Sequence, residues 1–158
     1  MRVVAVKRNP NVRHDNATID ALYGLDRIPR LLAESDHVCI ALPFTSDTDR
    51  LFDAEMLSHC KPSAYLYNIA RGRIIDEAAL IDALSNGRLT GAGLDVFETE
   101  PLLADSPLWS LTNVIITPHT AGITPNYFRR AAALFAENLN RYLDGEPLNN
   151  LYITSLGY

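Results

Sequence analysis

Four side chains that can bind, hold or move charge stand at or just beyond the ends of apolar, strand-forming runs. Arg71 follows AYLYNIA, Asp95 lies late in TGAGLDVF, Glu100 stands just ahead of Pro101, and His119 follows NVIITP. Open α/β sheets hold their ligands outside the carboxyl ends of their strands, so residues at such ends are candidates for a site. An imidazole beside a carboxylate can exchange a proton near neutral pH. A guanidinium presents a planar fork that matches a carboxylate with two parallel hydrogen bonds. The set suits a 2-oxo acid. Arg71 would bind and polarise it, and a His119–Glu100 pair would deliver a proton to its carbonyl oxygen. Each residue also fits a plain surface role, a solvated Glu before Pro or a His in a loop. Their joint placement at strand ends is what favours chemistry.

For these groups to converge, the strands that carry them must be parallel and share a sheet. Arg2 to Val6 reads as a first strand, broken by Asn9-Pro10-Asn11, and the stretch to about Gly24 reads as polar loop. Arg27 to Glu34 has helical spacing behind Pro29, which is tolerated early in a helix. His37 to Leu42 is a strand closed by Pro43, followed by a polar loop and a short helix ending near Cys60. AYLYNIA is the next strand. DEAALIDALSNGRL is the clearest helix, with Ala79, Leu80, Ala83 and Leu84 on one face, acids in the first turn and Asn86-Gly87 as the stop. Ala92 to Phe97 and NVIITPH are two further strands, and Tyr127 to Leu143 is a long amphipathic helix. Alternating strands and helices predict a parallel α/β sheet. The continuous apolar runs predict helices on both its faces.

With 158 residues, 47% hydrophobic and 21% charged, the chain has the make-up of a globular domain. A net charge of −5 argues against a general electrostatic grip on nucleic acid or an anionic membrane. No apolar run approaches the ~18 residues of a membrane span, and no signal-peptide pattern follows Met1. A cytoplasmic address is the expectation. Cys39 and Cys60 have no metal-like spacing and read as free thiols; no metal site is expected.

At this point NIARGRIIDEAALIDAL, GAGLDVFETEPL, SPLWSLTNVIITPHTAG and NLNRYLDGEPLNN resemble, in order and spacing, signatures of the D-isomer-specific 2-hydroxyacid dehydrogenases. This family includes glyoxylate and hydroxypyruvate reductases. The resemblance runs from Met1 to about Asn150. It implies a Rossmann-like fold and reversible hydride transfer between NAD(P)H and a short 2-oxo acid of the glyoxylate or hydroxypyruvate type. It places the catalytic roles on Arg71, Glu100 and His119. It places Asp95, Ala70 and Leu42-Pro43 beside the cofactor, with Gly122 in the same cofactor-binding set. Residues 127–158 correspond to a helix and tail that in the family return toward the substrate domain, and residues 1–126 to the dinucleotide-binding domain.

One departure bears on the whole reading. The sequence has no Gly-x-Gly-x-x-Gly, and GAGLDV enters a strand rather than opening a helix. The first strand matches the family's second nucleotide-binding strand. The expected fold is therefore a partial Rossmann-like, doubly wound parallel sheet lacking the first strand and phosphate loop, the C-terminal part of a longer enzyme. Without that central strand, two sheet edges would lie open and favour association, as would the apolar face of the last helix; a homodimer is one such form. The alternatives are an inactive truncated fragment and a non-enzymatic dinucleotide-sensing protein of the same fold. After the first strand, NAD users carry an acid that binds the ribose hydroxyls. Lys7 and Arg8 stand there instead, which favours NADPH over NADH, the pair otherwise being solvated charges.

Overall fold

The computed structural model describes residues 1–10 and 18–154. Asn11, expected to help break the first strand, lies outside the described residues. Strand β1 (Val4–Val6) pairs in parallel with β2 (Ala21–Tyr23) in a two-stranded sheet. Then come helix α1 (Ile28–Glu34), β3 (His37–Ile40), α2 (Ala54–Ser58), β4 (Tyr65–Asn68), α3 (Glu77–Ser85), β5 (Gly91–Leu94), β6 (Val114–Ile116) and α4 (Tyr127–Leu143). Strands β3 to β6 form a second sheet in the order β3-β4-β5-β6, parallel at every pairing. Among the described residues no strand joins β1 to β3, so each of these strands has one edge without a ladder partner. This is the partial Rossmann-like arrangement expected, an α/β fold with its sheet divided where a central strand would stand.

Strand β2 falls in the stretch expected to be loop. Ala21-Leu22-Tyr23 is too short to show a period, and its conformation comes from register with β1: Lys7 N–H donates to Tyr23 O and Asp20 N–H to Val3 O. The helices follow local chemistry. Asp76 caps α3 by accepting the Ala79 N–H (3.1 Å), and Gly87 beyond its end adopts φ +67°, the left-handed conformation that glycine takes at no steric cost. Asp53 caps α2 through the Met56 N–H (2.8 Å).

The core lies on one face of the four-stranded sheet. Val38, Ile40, Leu66, Ala92 and Leu94 point into it, and Leu32 of α1, Leu57 of α2, and Leu80 and Leu84 of α3 close over them. Burial of each such leucine stabilises the fold by about 1.5–3 kcal/mol. The opposite face carries His37, Cys39, Tyr65, Tyr67 and Ile115. His37 stacks between Tyr65 and Tyr67 there, and Ile115 is 72% exposed. The expectation of helices on both faces is thus met on one face only among the described residues. The sequence runs look continuously apolar because the aromatic residues of the uncovered face fill the alternate positions. Helix α4 has the predicted limits and presents an open apolar face: none of its residues is buried, and Phe128 and Phe135 are 75% and 70% exposed. Leu108 is buried in the core, whereas Trp109 is half exposed, its indole N–H donating to Leu103 O (2.9 Å). No helix of the described residues is long and apolar enough to cross a membrane.

Candidate active site

Parallel pairing brings the carboxyl ends of β3 to β6 to one edge of the sheet, and the sequence-predicted residues follow those ends. At the end of β4, Asn68 is 1% exposed. Its Oδ1 accepts the Ala70 N–H (3.0 Å) and its Nδ2 donates to Arg71 O (3.0 Å). The buried amide therefore fixes the turn that ends with Arg71 on the surface. The Arg71 guanidinium donates back to Ala70 O (2.6 Å), a neutral partner that leaves its charge uncompensated by that bond.

Asp95, one residue past β5 and only 4% exposed, anchors the turn after β6. Its Oδ1 accepts the Thr117 hydroxyl (2.5 Å) and the Thr120 N–H (2.9 Å), and its Oδ2 accepts the Ala121 N–H (2.8 Å). Burial alone would push this carboxyl up. The Thr117, Ala121 and Thr120 donors and the nearby His119 together outweigh that and hold it below its ordinary value. The anchored turn presents His119 at φ +53°, a left-handed conformation uncommon for residues other than glycine. A strained residue of this kind persists where its surroundings over-determine it, and three bonds from Asp95 to the surrounding turn do so.

His119 Nδ1 lies 2.7 Å from Glu100 Oε2, and the Phe97 N–H donates to Glu100 Oε1 (3.0 Å). Burial raises the Glu100 carboxyl, but the bonds from His119 and Phe97 and the charges of His119 and Arg71 bring it below the usual carboxylate range. An ionised carboxylate only accepts hydrogen bonds. Nδ1 therefore carries the hydrogen of this bond, and Nε2 is left as the ring atom that can give or take a proton. Glu100, His119 and the Thr117 turn line a cavity of about 550 Å³ whose other walls are Phe97, Leu102, Trp109 and Ile116. This is within the size range of small-molecule sites, with a few polar groups on an apolar wall.

The other predicted site residues stand at or beyond strand ends. Leu42 and Pro43 follow β3, and Pro43 O accepts the Thr48 hydroxyl (2.8 Å). Lys7 and Arg8 follow β1, and Gly122 is exposed beyond the Asp95-anchored turn. Asn68 and Thr117 were missed by sequence reasoning. An asparagine inside an otherwise apolar run was the available signal for the first; nothing local marked the second. For a dinucleotide, the residues fit at one end. A phosphate loop would leave its glycines facing open space, but a Cβ on Gly91 would lie 2.7 Å from Asn113 O, and one on Gly93 would lie 2.9 Å from the Tyr67 ring. These glycines serve strand packing. The described residues thus supply a nicotinamide-side surface and no glycine cradle for a pyrophosphate.

A divided parallel sheet with an Arg, a buried Asp and a Glu–His pair at its carboxyl edge defines a dinucleotide-dependent dehydrogenase domain, and residues 1–121 match the NAD binding domain of the D-isomer specific 2-hydroxyacid dehydrogenases. The chain belongs to this family. It is 49% identical over 120 residues to glyoxylate/hydroxypyruvate reductase B of Pectobacterium carotovorum subsp. carotovorum (strain PC1), an alignment that covers 76% of this chain and 38% of that protein. The chain thus spans well under half the length of the curated relatives it matches. Among solved structures, a D-isomer specific 2-hydroxyacid dehydrogenase from Xanthobacter autotrophicus Py2, in complex with NADPH and MES, superposes with a TM-score of 0.88 at 36% identity over 100% of this chain and 73% of that one. An NADPH-dependent glyoxylate/hydroxypyruvate reductase from Sinorhizobium meliloti, with NADP and sulfate, gives 0.88 at 28% identity over 100% and 50% of the two chains.

Proposed function

We propose that this chain carries the catalytic half of an NAD(P)H-dependent reductase that converts a short 2-oxo acid, of the glyoxylate or hydroxypyruvate type, to its D-2-hydroxy acid. The observation that carries this reading is the His119–Glu100 contact at 2.7 Å beside Arg71. The nicotinamide supplies the hydride when bound. Arg71 binds the substrate carboxylate and draws charge toward the carbonyl. Glu100 orients the imidazole through Nδ1, and His119 gives a proton from Nε2 to the carbonyl oxygen. Asp95 holds the turn that aims His119 and borders the nicotinamide with Ala70, Leu42, Pro43 and Gly122. The apolar wall of Phe97, Leu102 and Trp109 excludes water from one side of the reacting group.

Lys7 and Arg8 follow β1, where a 2′-phosphate would meet positive charge, so NADPH is preferred over NADH; the NADPH and NADP held by the two solved relatives support this. Titrating the chain with either cofactor while following Trp109 emission tests both claims. Saturable quenching that is tighter for NADPH, with nicotinamide oxidation on adding glyoxylate or hydroxypyruvate, is the expected result. Lys7→Asp should move the preference toward NADH, and an unchanged preference would remove Lys7 from the argument. A folded chain that binds neither cofactor would favour a second reading, supported by the divided sheet: a dehydrogenase unit that needs a further segment between β1 and β3 before it can bind a dinucleotide.

A further inference from the structure

We propose that Glu77 is a positioning residue for the Glu100–His119 pair, holding the Phe97–Glu98 peptide, next in the chain to the one whose N–H Glu100 accepts. The inference rests on reading that pair as the acid/base group of the site.

Glu77 is the first residue of α3, and a carboxylate there is ordinarily explained by the helix end. Here Asp76 already caps that end through the Ala79 N–H, and the half-buried Glu77 carboxylate turns to the neighbouring loop. Its Oε2 accepts the Glu98 N–H at 3.0 Å, and the preceding amide, Phe97 N–H, donates to Glu100 Oε1 at 3.0 Å. Two successive amides are thus held by two carboxylates, one structural and one in the site. The peptide that joins them is pressed from a third side by Gly72, where a Cβ would stand 1.8 Å from the Phe97 carbonyl carbon and 2.4 Å from Glu98 N. Arg50 adds an ion pair to the Glu98 side chain (2.5 Å). The consequence is a direct mechanical link. The segment that presents Arg71 continues through Gly72 into α3, and Glu77 ties it to the segment that presents Glu100. Both halves of the site are thereby tied to one another.

The test reads the Glu100 carboxyl directly, by carbon NMR titration of the full chain with labelled glutamate, in wild type, Glu77→Gln and Glu77→Ala. No cofactor or substrate is present, so failure of the proposed reaction leaves this result untouched. His119 and Arg71 also face Glu100 and are the same in all three proteins. A Gln oxygen can still accept the Glu98 N–H, so Glu77→Gln should leave Glu100 at or below its wild-type midpoint. In Glu77→Ala the peptide is released, the Phe97 bond weakens, and the Glu100 midpoint should rise toward that of an ordinary carboxylate. The sign is decisive, because loss of the Glu77 negative charge by itself moves Glu100 down. A folded Glu77→Ala chain in which Glu100 titrates at or below the wild-type value overturns the proposal. If Glu77→Ala does not fold, Glu77→Asp, which keeps the charge but draws the carboxylate one methylene back from the Glu98 N–H, must raise Glu100; an unchanged or lowered midpoint there overturns it equally.

Discussion

Replacing Asp95 by asparagine keeps the shape of a buried side chain and removes its charge. The carboxylate accepts three bonds, from Thr117, Thr120 and Ala121. An asparagine oriented to keep Oδ1 toward Thr117 and Thr120 turns its NH2 toward the Ala121 N–H, so a donor meets a donor. Bonds to a charged group contribute about 1.5–3 kcal/mol each. Here the turn residues are exposed and a freed donor can reach water, which places the loss at the low end. One bond is lost outright and two become neutral, for a total of about 2 kcal/mol. At this chain length that lowers Tm by about 4–8 °C, read by circular dichroism at neutral pH. Acid titration gives a second arm. The folded carboxyl titrates below its unfolded value, about 3.9. Its contribution is therefore complete above that value and is lost as pH falls through the folded one. The gap between wild type and variant should be full at neutral pH and close below about pH 4. A neutral-pH Tm within about 1 °C of wild type, or a gap that persists in acid, would refute Asp95 as the anchor of the His119 turn.

Other outcomes follow from the same geometry. His119→Gln keeps a polar group but no group that can give or take a proton near neutral pH, so kcat for 2-oxo acid reduction should fall by about 10²–10⁴-fold while cofactor affinity stays constant; a smaller fall would move the acid role elsewhere. Arg71→Lys keeps charge but not the fork; a rise in KM of about 10- to 100-fold is expected from loss of one charge-assisted bond, and a KM unchanged in steady-state assays would reassign Arg71. Leu66→Ala in the core should cost about 2–5 kcal/mol, seen as a lower urea midpoint, since Leu66 is fully buried.

Much of the scaffold was legible because its signals are local. Asp76, the Ala79–Leu84 face and Gly87 mark both ends of α3 within one short segment, and the limits of α4 follow from its period alone. The candidate residues were legible as strand endings. What was not legible depends on contacts between segments distant in sequence. β2 exists through pairing with β1. Asn68 and Thr117 matter because each meets a group that only the fold brings near. Glu77 reads in sequence as a helix-start acid, and its bond to Glu98 spans the whole of α3 and β5. The uncovered sheet face was missed for a related reason: Tyr65, Tyr67 and Ile115 present large apolar surfaces and strand-forming side chains like the buried residues beside them, which blurs the alternation in exposure.

Helix α4 buries none of its 17 residues. A helix of that length without tertiary support is marginal in water, because nucleation is costly and each further residue adds little. Its amides should therefore exchange with deuterium at rates near those of a free peptide, while those of α3 and β4 exchange through global opening. The chain then has two thermodynamic parts on one backbone: a cooperatively folded sheet, and a helix whose order is set by whatever surface its aromatic stripe meets.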